Sequence, residues 1–340
     1  MKIIRTDCEL ECPRVDGALR EAGHELVLLP EGVSEPDLIA AVRDAGLILM
    51  CYTPITSTVI DAAPHLKGIV KYGVGIDAVD IPAAIARKVP VVNIPLYAEE
   101  TVAEGAFALL IALARKLVPL SREMEREGWA WPTQRWLGSD IAGKTLGLIG
   151  VGHIGRSVAR MAGAGFRARV LGYNPGKSAE ELRAAGVEKR DDLHAMLGEC
   201  DFVSVHCVLN DDTRGMIGAA EFAAMKPGAL FVNVSRGAIA DEAALLEALR
   251  SGHLGGAALD VFGQEPLDRR DHPLAPLFGM ENVILSPHLT FYTRDAMTRL
   301  EEETLARCAE IIEGRPVTIR SLDPRLRAQH EGVVFAQADG

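Results

Sequence analysis

The sequence predicts an α/β chain made of two doubly wound parallel-sheet domains. Three observations predict it. At 340 residues the chain exceeds a comfortable single core. Short β-branched runs alternate with amphipathic helical stretches, first from Lys2 to Ile94 and again from Lys144 to His288. A long apolar helical stretch, about Glu99 to Leu117, separates the two series.

In the first series, KIIRTD, HELVLL, LILMCY, KGIVKYG and VPVVNI read as strands. DGALREAG, EPDLIAAVRDAG, STVIDAAPH and DIPAAIARK read as the helices between them, and Gly23 and Gly46 suit helix C-caps. In the long helix, Val102, Ala106, Leu109, Leu110 and Leu113 recur at helical spacing, but its other faces are apolar too. Such a helix is expected to be buried on all sides, as a spine joining two domains. The polar stretch 118–140 then carries all three tryptophans, Trp129, Trp131 and Trp136, which suit either a subunit or domain contact or local packing.

The second series runs through KTLGLIG, RARVLGYN, DFVSVHC, ALFVNVS, GGAALDVF and NVILSPH, separated by AEELRAAG, LHAMLGEC and DEAALLEALRSG. One more helix follows, RDAMTRLEEETLARCAEIIEG, and the segment 321–340 is polar, lacks a period and is expected to be a loose tail. The division expected is 1–98 plus 291–320 as one discontinuous domain and 99–290 as the other.

A formal net charge of −11 argues against nucleic acid and anionic membrane surfaces as partners. It leaves an anionic small molecule open, because one local Arg outvotes distant surface charge. The N-terminus reads straight into a strand, and the longest apolar run, Phe107 to Ala114, is too short to cross a bilayer, so a cytoplasmic location is expected. Cys8, Cys12, Cys51, Cys200, Cys207 and Cys308 form no CxxC pair, which predicts reduced thiols and no metal site.

Gly150-Val151-Gly152-His153-Ile154-Gly155 directly follows the strand KTLGLIG and opens the helix SVARMAGAG. Glycines there allow a tight turn and the close approach of a pyrophosphate to the free N–H groups of a helix start. The next strand, RVLGYN, ends at Asn174, where an acid would select NAD. Asn174 can bond a ribose hydroxyl without repelling a 2′-phosphate, and Lys177 and Ser178 either receive such a phosphate or form an exposed loop. The cofactor is therefore NAD or NADP.

Three further strand ends carry chemistry: Arg236 in FVNVSRG, Asp260 and Glu265 in LDVFGQEP, and His288 in NVILSPH. In a doubly wound sheet such ends line one crevice. Reducing a 2-oxo acid needs a cation for the carboxylate, a proton donor for the oxygen and a hydride donor. Arg236 suits the first as a bidentate partner. His288 suits the second, with Glu265 to orient its ring and favour its charged form. His206, ending DFVSVHC, reads as a packing or hydrogen-bonding residue instead.

With these residues in view, the chain resembles the D-isomer-specific 2-hydroxyacid dehydrogenase family from about Lys2 to Arg320. The resemblance is carried by KYGVGIDAVD, the VAE of Val102 to Glu104, GVGHIG, NVSRG, LDVFGQEP and SPH, in that order. It implies a flavodoxin-like substrate domain, completed by the C-terminal helix, a Rossmann dinucleotide-binding domain and a homodimer joined through the spine-helix region. It implies that Arg236 binds the substrate, that His288 is the acid–base and Glu265 its partner, and that the backbone of Gly73, Val74 and Gly75 holds the carboxylate. Val102, His153, Ile154, Cys207, Val208, Thr213, Val234 and Asp260 are expected along the cofactor, with Asp260 at the nicotinamide end.

Two positions depart from the family pattern: Val208 stands where Pro is frequent, and Asn174 where an acid is. Tyr97, and Phe291 with Tyr292 after the catalytic His, are similar to the D-lactate branch; they either shrink the substrate pocket or pack the hinge. The function expected is hydride transfer between a nicotinamide and a small D-2-hydroxy or 2-oxo acid. The alternative from another class is a dinucleotide-sensing corepressor or scaffold related to the C-terminal-binding proteins.

Overall fold

In the computed structural model, which describes residues 1–336, the chain divides into two compact units. One comprises Met1–Ala98 and the chain from Thr293 onward; the other is Glu99–Tyr292.

The first unit holds β1 (Lys2–Arg5), α1 (Pro13–Glu21), β2 (Glu25–Leu28), α2 (Glu35–Val42), β3 (Ala45–Met50), α3 (Ser57–Asp61), β4 (Ile69–Lys71), α4 (Ile81–Ala86) and β5 (Val91–Asn93). All pairs are parallel, in the order β2-β1-β3-β4-β5. Ile3, Ile4, Leu47, Ile48, Leu49, Ile69, Val70, Val91 and Val92 are fully buried, as expected of strands covered on both faces. Side chains of Ser34, Thr56 and Asp80 cap α2, α3 and α4 at the positions where each helix leaves N–H groups unpaired. Gly46, read from the sequence as a helix cap, lies instead inside β3, and a Cβ there would meet Met1 Cγ at 2.7 Å.

The second unit holds α5 (Glu99–Ala114), α6 (Leu117–Glu127), β6 (Thr145–Ile149), α7 (His153–Arg160), β7 (Arg169–Tyr173), α8 (Ala179–Ala184), β8 (Glu188–Lys189), α9 (Leu193–Glu199), β9 (Phe202–Val205), α10 (Ala219–Ala224), β10 (Leu230–Asn233), α11 (Glu242–Arg250), β11 (Gly256–Leu259) and β12 (Val283–Leu285). Its sheet is also fully parallel, ordered β12-β11-β10-β9-β6-β7-β8. The order reverses between β6 and β9, where this class of sheet opens a ligand crevice at its carboxyl edge. The core between this sheet and its helices includes Ile149, Leu171, Val203, Phe222, Phe231, Leu245 and Leu259.

The spine helix differs from expectation. α5 buries Val102, Ala106, Phe107, Leu110 and Leu113, but Leu109, Ile111 and Ala112 stay partly exposed, so only one side is covered by its own unit. α6 buries none of its residues.

After the second unit the chain returns to the first through α12 (Arg294–Ile312), capped by Thr293. The segment expected to be a loose tail is ordered: β13 (Val317–Ile319), α13 (Pro324–Arg327) and β14 (Val333–Phe335) follow, with β13 and β14 paired in parallel. Residues 337–340 of that expected tail lie outside the described residues. Gln329, buried, takes the Val91 N–H on Oε1 at 2.7 Å and donates from Nε2 to the Val91 carbonyl at 2.8 Å. A side-chain amide thus stands in for the missing neighbour of edge strand β5. Gln329→Ala would strand two buried backbone groups and is expected to lower unfolding stability by about 2–4 kcal/mol. Urea denaturation followed by circular dichroism measures it; a change under about 0.5 kcal/mol, the level of an ordinary surface substitution, would refute the edge-capping role.

Candidate active site

The order of the second sheet sets the candidate residues in a row along its carboxyl edge. Reading across β12, β11, β10, β9, β6 and β7, the strand ends deliver His288, Glu265, Arg236, Cys207, the glycine turn and Asn174.

Glu265 and His288 meet. His288 Nδ1 lies 2.8 Å from Glu265 Oε2, and Glu265 Oε1 accepts the Phe262 N–H at 2.8 Å. The side chains are 23% and 27% exposed, so His288 still has a face to the outside. Burial alone would push the Glu265 pKa up. The His288 hydrogen bond and charge, the Phe262 N–H and the nearby charge of Arg236 outweigh it and hold the carboxyl below its ordinary range. Glu265 is therefore ionised, and its contact with Nδ1 orients the His288 ring.

His288 has a left-handed backbone, φ 57°, which is strained for a residue with a Cβ. The following residues hold it there. Asp260, fully buried, accepts the Leu289 N–H on Oδ1 at 3.0 Å, and the Thr290 N–H and hydroxyl on Oδ2 at 3.1 and 2.6 Å. Asp260 is the residue expected at the nicotinamide end, and both its oxygens are engaged by the loop that carries His288. Phe291, 7% exposed, packs edge-on to the His288 ring at 6.4 Å and to Tyr292 at 5.9 Å.

Arg236 leaves β10 on a turn braced by Asn233, whose Oδ1 accepts from Ser235 N and whose Nδ2 donates to the Arg236 carbonyl, both at 3.0 Å. Its Nη1 donates to the Ser235 carbonyl at 2.7 Å. Gly237 is required next to it, since a Cβ there would fall 1.9 Å from the carbonyl carbon of Phe262. This close passage of the β10 and β11 turns brings Arg236 toward Glu265.

At the crevice, Gly150 has φ 93° and a Cβ there would meet Cys207 N at 2.4 Å; at Gly155 it would meet the Gly150 carbonyl oxygen at 2.4 Å. At Gly152 it would meet nothing within 4 Å, which leaves open space over the first turn of α7. His153 and Ile154 begin that turn, where N–H groups have no partner within the helix. Open space, free donors and the positive end of a helix fit the pyrophosphate of a dinucleotide. Val102 and Val234 are buried, Val208 is exposed, and the Thr213 hydroxyl donates to the Val208 carbonyl at 2.7 Å. Asn174 directly follows β7. Ser178 is used as the cap of α8, and Lys177 Nζ lies 3.5 Å from Glu181 Oε1.

The first unit carries the remaining candidates. The Gly73-Val74-Gly75 loop leaves β4, with the Gly73 carbonyl accepting from Ile94 N at 3.0 Å and the Val74 carbonyl from Asn93 Nδ2 at 2.6 Å. Tyr97 is buried, and its carbonyl accepts from Arg299 Nε at 2.7 Å. Sequence reading missed Asp7. With φ 56° and 1% exposure, Asp7 accepts N–H groups from Cys51, Tyr52 and Thr53 at the end of β3. It also missed Glu99, whose Oε1 lies 3.3 Å from His153 Nδ1. Only the nearness of acids to the apolar helix start hinted at the latter.

His206 stays outside the catalytic row. Its Nε2 lies 2.8 Å from Ser204 Oγ, its Nδ1 is buried, and burial pulls its pKa down to about 4. The unfolded chain takes up that proton near pH 6.5 while the folded chain resists to about 4, so stability falls as pH drops through this window. The loss by pH 4 is expected to be about 3 kcal/mol. Unfolding curves of wild type and His206→Gln between pH 7.5 and 4 test it: the variant should lack this part of the slope, and parallel curves would defeat the assignment.

Comparisons with known proteins identify the family. The model of the NAD binding domain of D-isomer specific 2-hydroxyacid dehydrogenases matches residues 107–290. A glyoxylate reductase of Korarchaeum cryptofilum is 40% identical over 272 residues, 79% of this chain and 80% of that protein. The D-3-phosphoglycerate dehydrogenase of Rattus norvegicus is 37% identical over 338 residues, and the chain spans 59% of its length. Among solved structures, D-lactate dehydrogenase from Aquifex aeolicus complexed with NAD and lactic acid aligns with a TM-score of 0.81 at 28% identity, covering 92% of this chain and 96% of that one.

Proposed function

The chain belongs to the D-isomer-specific 2-hydroxyacid dehydrogenase family, and from that premise we propose that it reduces a small 2-oxo acid to the D-2-hydroxy acid, or runs the reverse, with Arg236, Glu265 and His288 as its working residues. The observation that carries this reading is the 2.8 Å contact of His288 Nδ1 with an ionised Glu265 beside Arg236.

When bound, the nicotinamide supplies or accepts the hydride; the rest falls to the chain's own side chains. Arg236 pairs with the substrate carboxylate through its guanidinium fork. His288 Nε2 donates a proton to the substrate oxygen in reduction and removes it in oxidation. Glu265 fixes the tautomer and favours the charged ring. Asp260 acts one step removed, by holding the strained His288 backbone through Leu289 and Thr290. Phe291 against the imidazole favours a small or apolar substituent on the carbonyl carbon, and glyoxylate, which carries only hydrogen there and gives an achiral product, is the first candidate, given the 40% identity to a glyoxylate reductase.

NAD is the preferred dinucleotide in this reading, because Ser178 and Lys177 are already engaged with α8 rather than turned to a 2′-phosphate. The uncharged Asn174 keeps the preference modest, about tenfold.

The assay follows NADH and NADPH absorbance with glyoxylate, hydroxypyruvate, pyruvate, phenylpyruvate and phosphohydroxypyruvate. Turnover is expected with at least one acid, to be abolished in His288→Ala. Arg236→Ala and Arg236→Lys are both expected to lose at least about a hundredfold in kcat/KM, since a point charge does not replace a fork. Near-normal kinetics in both Arg variants would remove Arg236 from the mechanism. Tight dinucleotide binding with no turnover on any acid would favour the sensor reading.

A homodimer is the proposed assembly. Leu117, Met124, Trp129, Trp131 and Leu137 are exposed, Trp131 by 73%, all in one stretch after the half-covered α5. An apolar surface of this kind is suited to a second copy. Light scattering on the purified chain is expected to give twice the mass of one chain, and Trp131→Glu with Leu137→Glu to give the single mass. A monomeric wild type would defeat the proposal.

A further inference from the structure

Two acids open α5 and reach to α7. Glu100 is paired, accepting from Ser157 Oγ at 2.8 Å and Arg160 Nη2 at 2.7 Å. Glu99 reaches nearer the glycine turn, to Nδ1 of His153, the first residue of α7. The hydride chemistry uses neither.

The position of Glu99 is electrostatically costly. A dinucleotide pyrophosphate carries two negative charges at neutral pH and is drawn to the positive end of α7. An ionised carboxylate beside that end opposes it. Glu99 is only 27% exposed, and burial pushes its pKa up, against the pull of His153 and with a further push from Glu100. The charged groups about the pair are Glu99, Glu100 and Glu104 on α5, and His153, Arg156 and Arg160 on α7. Arg160 answers Glu100, which leaves His153 as the partner of Glu99.

We propose that Glu99, through His153, sets the pH dependence of pyrophosphate binding by making dinucleotide binding take up a proton. The added negative charge favours the protonated form of the Glu99–His153 pair, so a proton enters from solvent as the dinucleotide binds. His153 then stands as a cation between two anions and is aimed at the pyrophosphate by the carboxylate behind it. By linkage, affinity falls as pH rises. The inference rests on the glycine turn being the pyrophosphate site.

Isothermal titration of the full chain with NADH, in buffers of different ionisation enthalpy at pH 7, counts the protons; fluorescence titration from pH 6 to 8.5 gives the affinity profile. Wild type is expected to take up a measurable fraction of a proton and to bind more weakly with rising pH. Glu99→Gln is expected to bind NADH about fivefold more tightly at pH 8, with a flatter profile. His153→Gln is expected to lose the uptake and to bind more weakly, and Glu99→Gln in that background to restore binding. NADH binding without proton uptake, or with uptake unchanged in both single variants, would overturn the inference alone. Failure of wild type to bind NADH or NADPH would overturn the nucleotide reading and the inference with it.

Discussion

Parallel pairing is the constraint on which the candidate site depends. When every strand runs the same way, each releases its chain at the same edge, about 4.8 Å from its neighbour. The second unit uses seven strands in this way, and the loops at that edge follow the strand order rather than the order of the sequence. His288 with Glu265, Arg236, the glycine turn and Asn174 after β7 are therefore laid out in line, across the switch between β6 and β9 where this class of sheet opens a ligand crevice.

Being at the right edge gives only coarse placement. Finer placement comes in both units from a buried aspartate that accepts backbone N–H groups of the next loop. Asp7 gathers Cys51, Tyr52 and Thr53, and Asp260 gathers Leu289 and Thr290. A carboxylate with almost no contact with water is tolerable only when its lone pairs are filled in this way. The arrangement also explains why His288 keeps a left-handed backbone. The clamp on the two following N–H groups and the Glu265 contact over-determine that conformation, the condition under which such strain persists.

Features that depend on local periodicity were legible in the sequence. The parallel strands of both units, the glycine turn between β6 and α7, and the placement of Arg236, Glu265 and His288 after strand ends all follow from patterns a few residues long. What failed depended on distant partners. Gly46 resembled a helix cap because nothing local shows that β3 starts one residue earlier and that Met1 presses on that position. The C-terminal segment looked structureless because several of its partners, among them Val91 bonded by the Gln329 amide and Asp77 paired with Arg325, lie far back in the chain. The hydrogen bonds of Asp260 to Leu289 and Thr290 were not legible, because those partners arrive from another strand end. Glu99 was hidden for the same reason, since its contact with His153 bridges two helices.

The amide of Gln329 has a consequence for integrity after synthesis. A terminal strand with free N–H and C=O groups is a template on which another copy can add, and repeated addition gives polymer rather than folded protein. Here the edge of β5 is closed by a side chain that arrives from just beyond α13. Proteolytic trimming that removes α13 and Gln329 would thus do more than shorten the protein. It would leave the Val91 N–H and carbonyl without their partner at the edge of the sheet, the kind of edge on which another chain can pair.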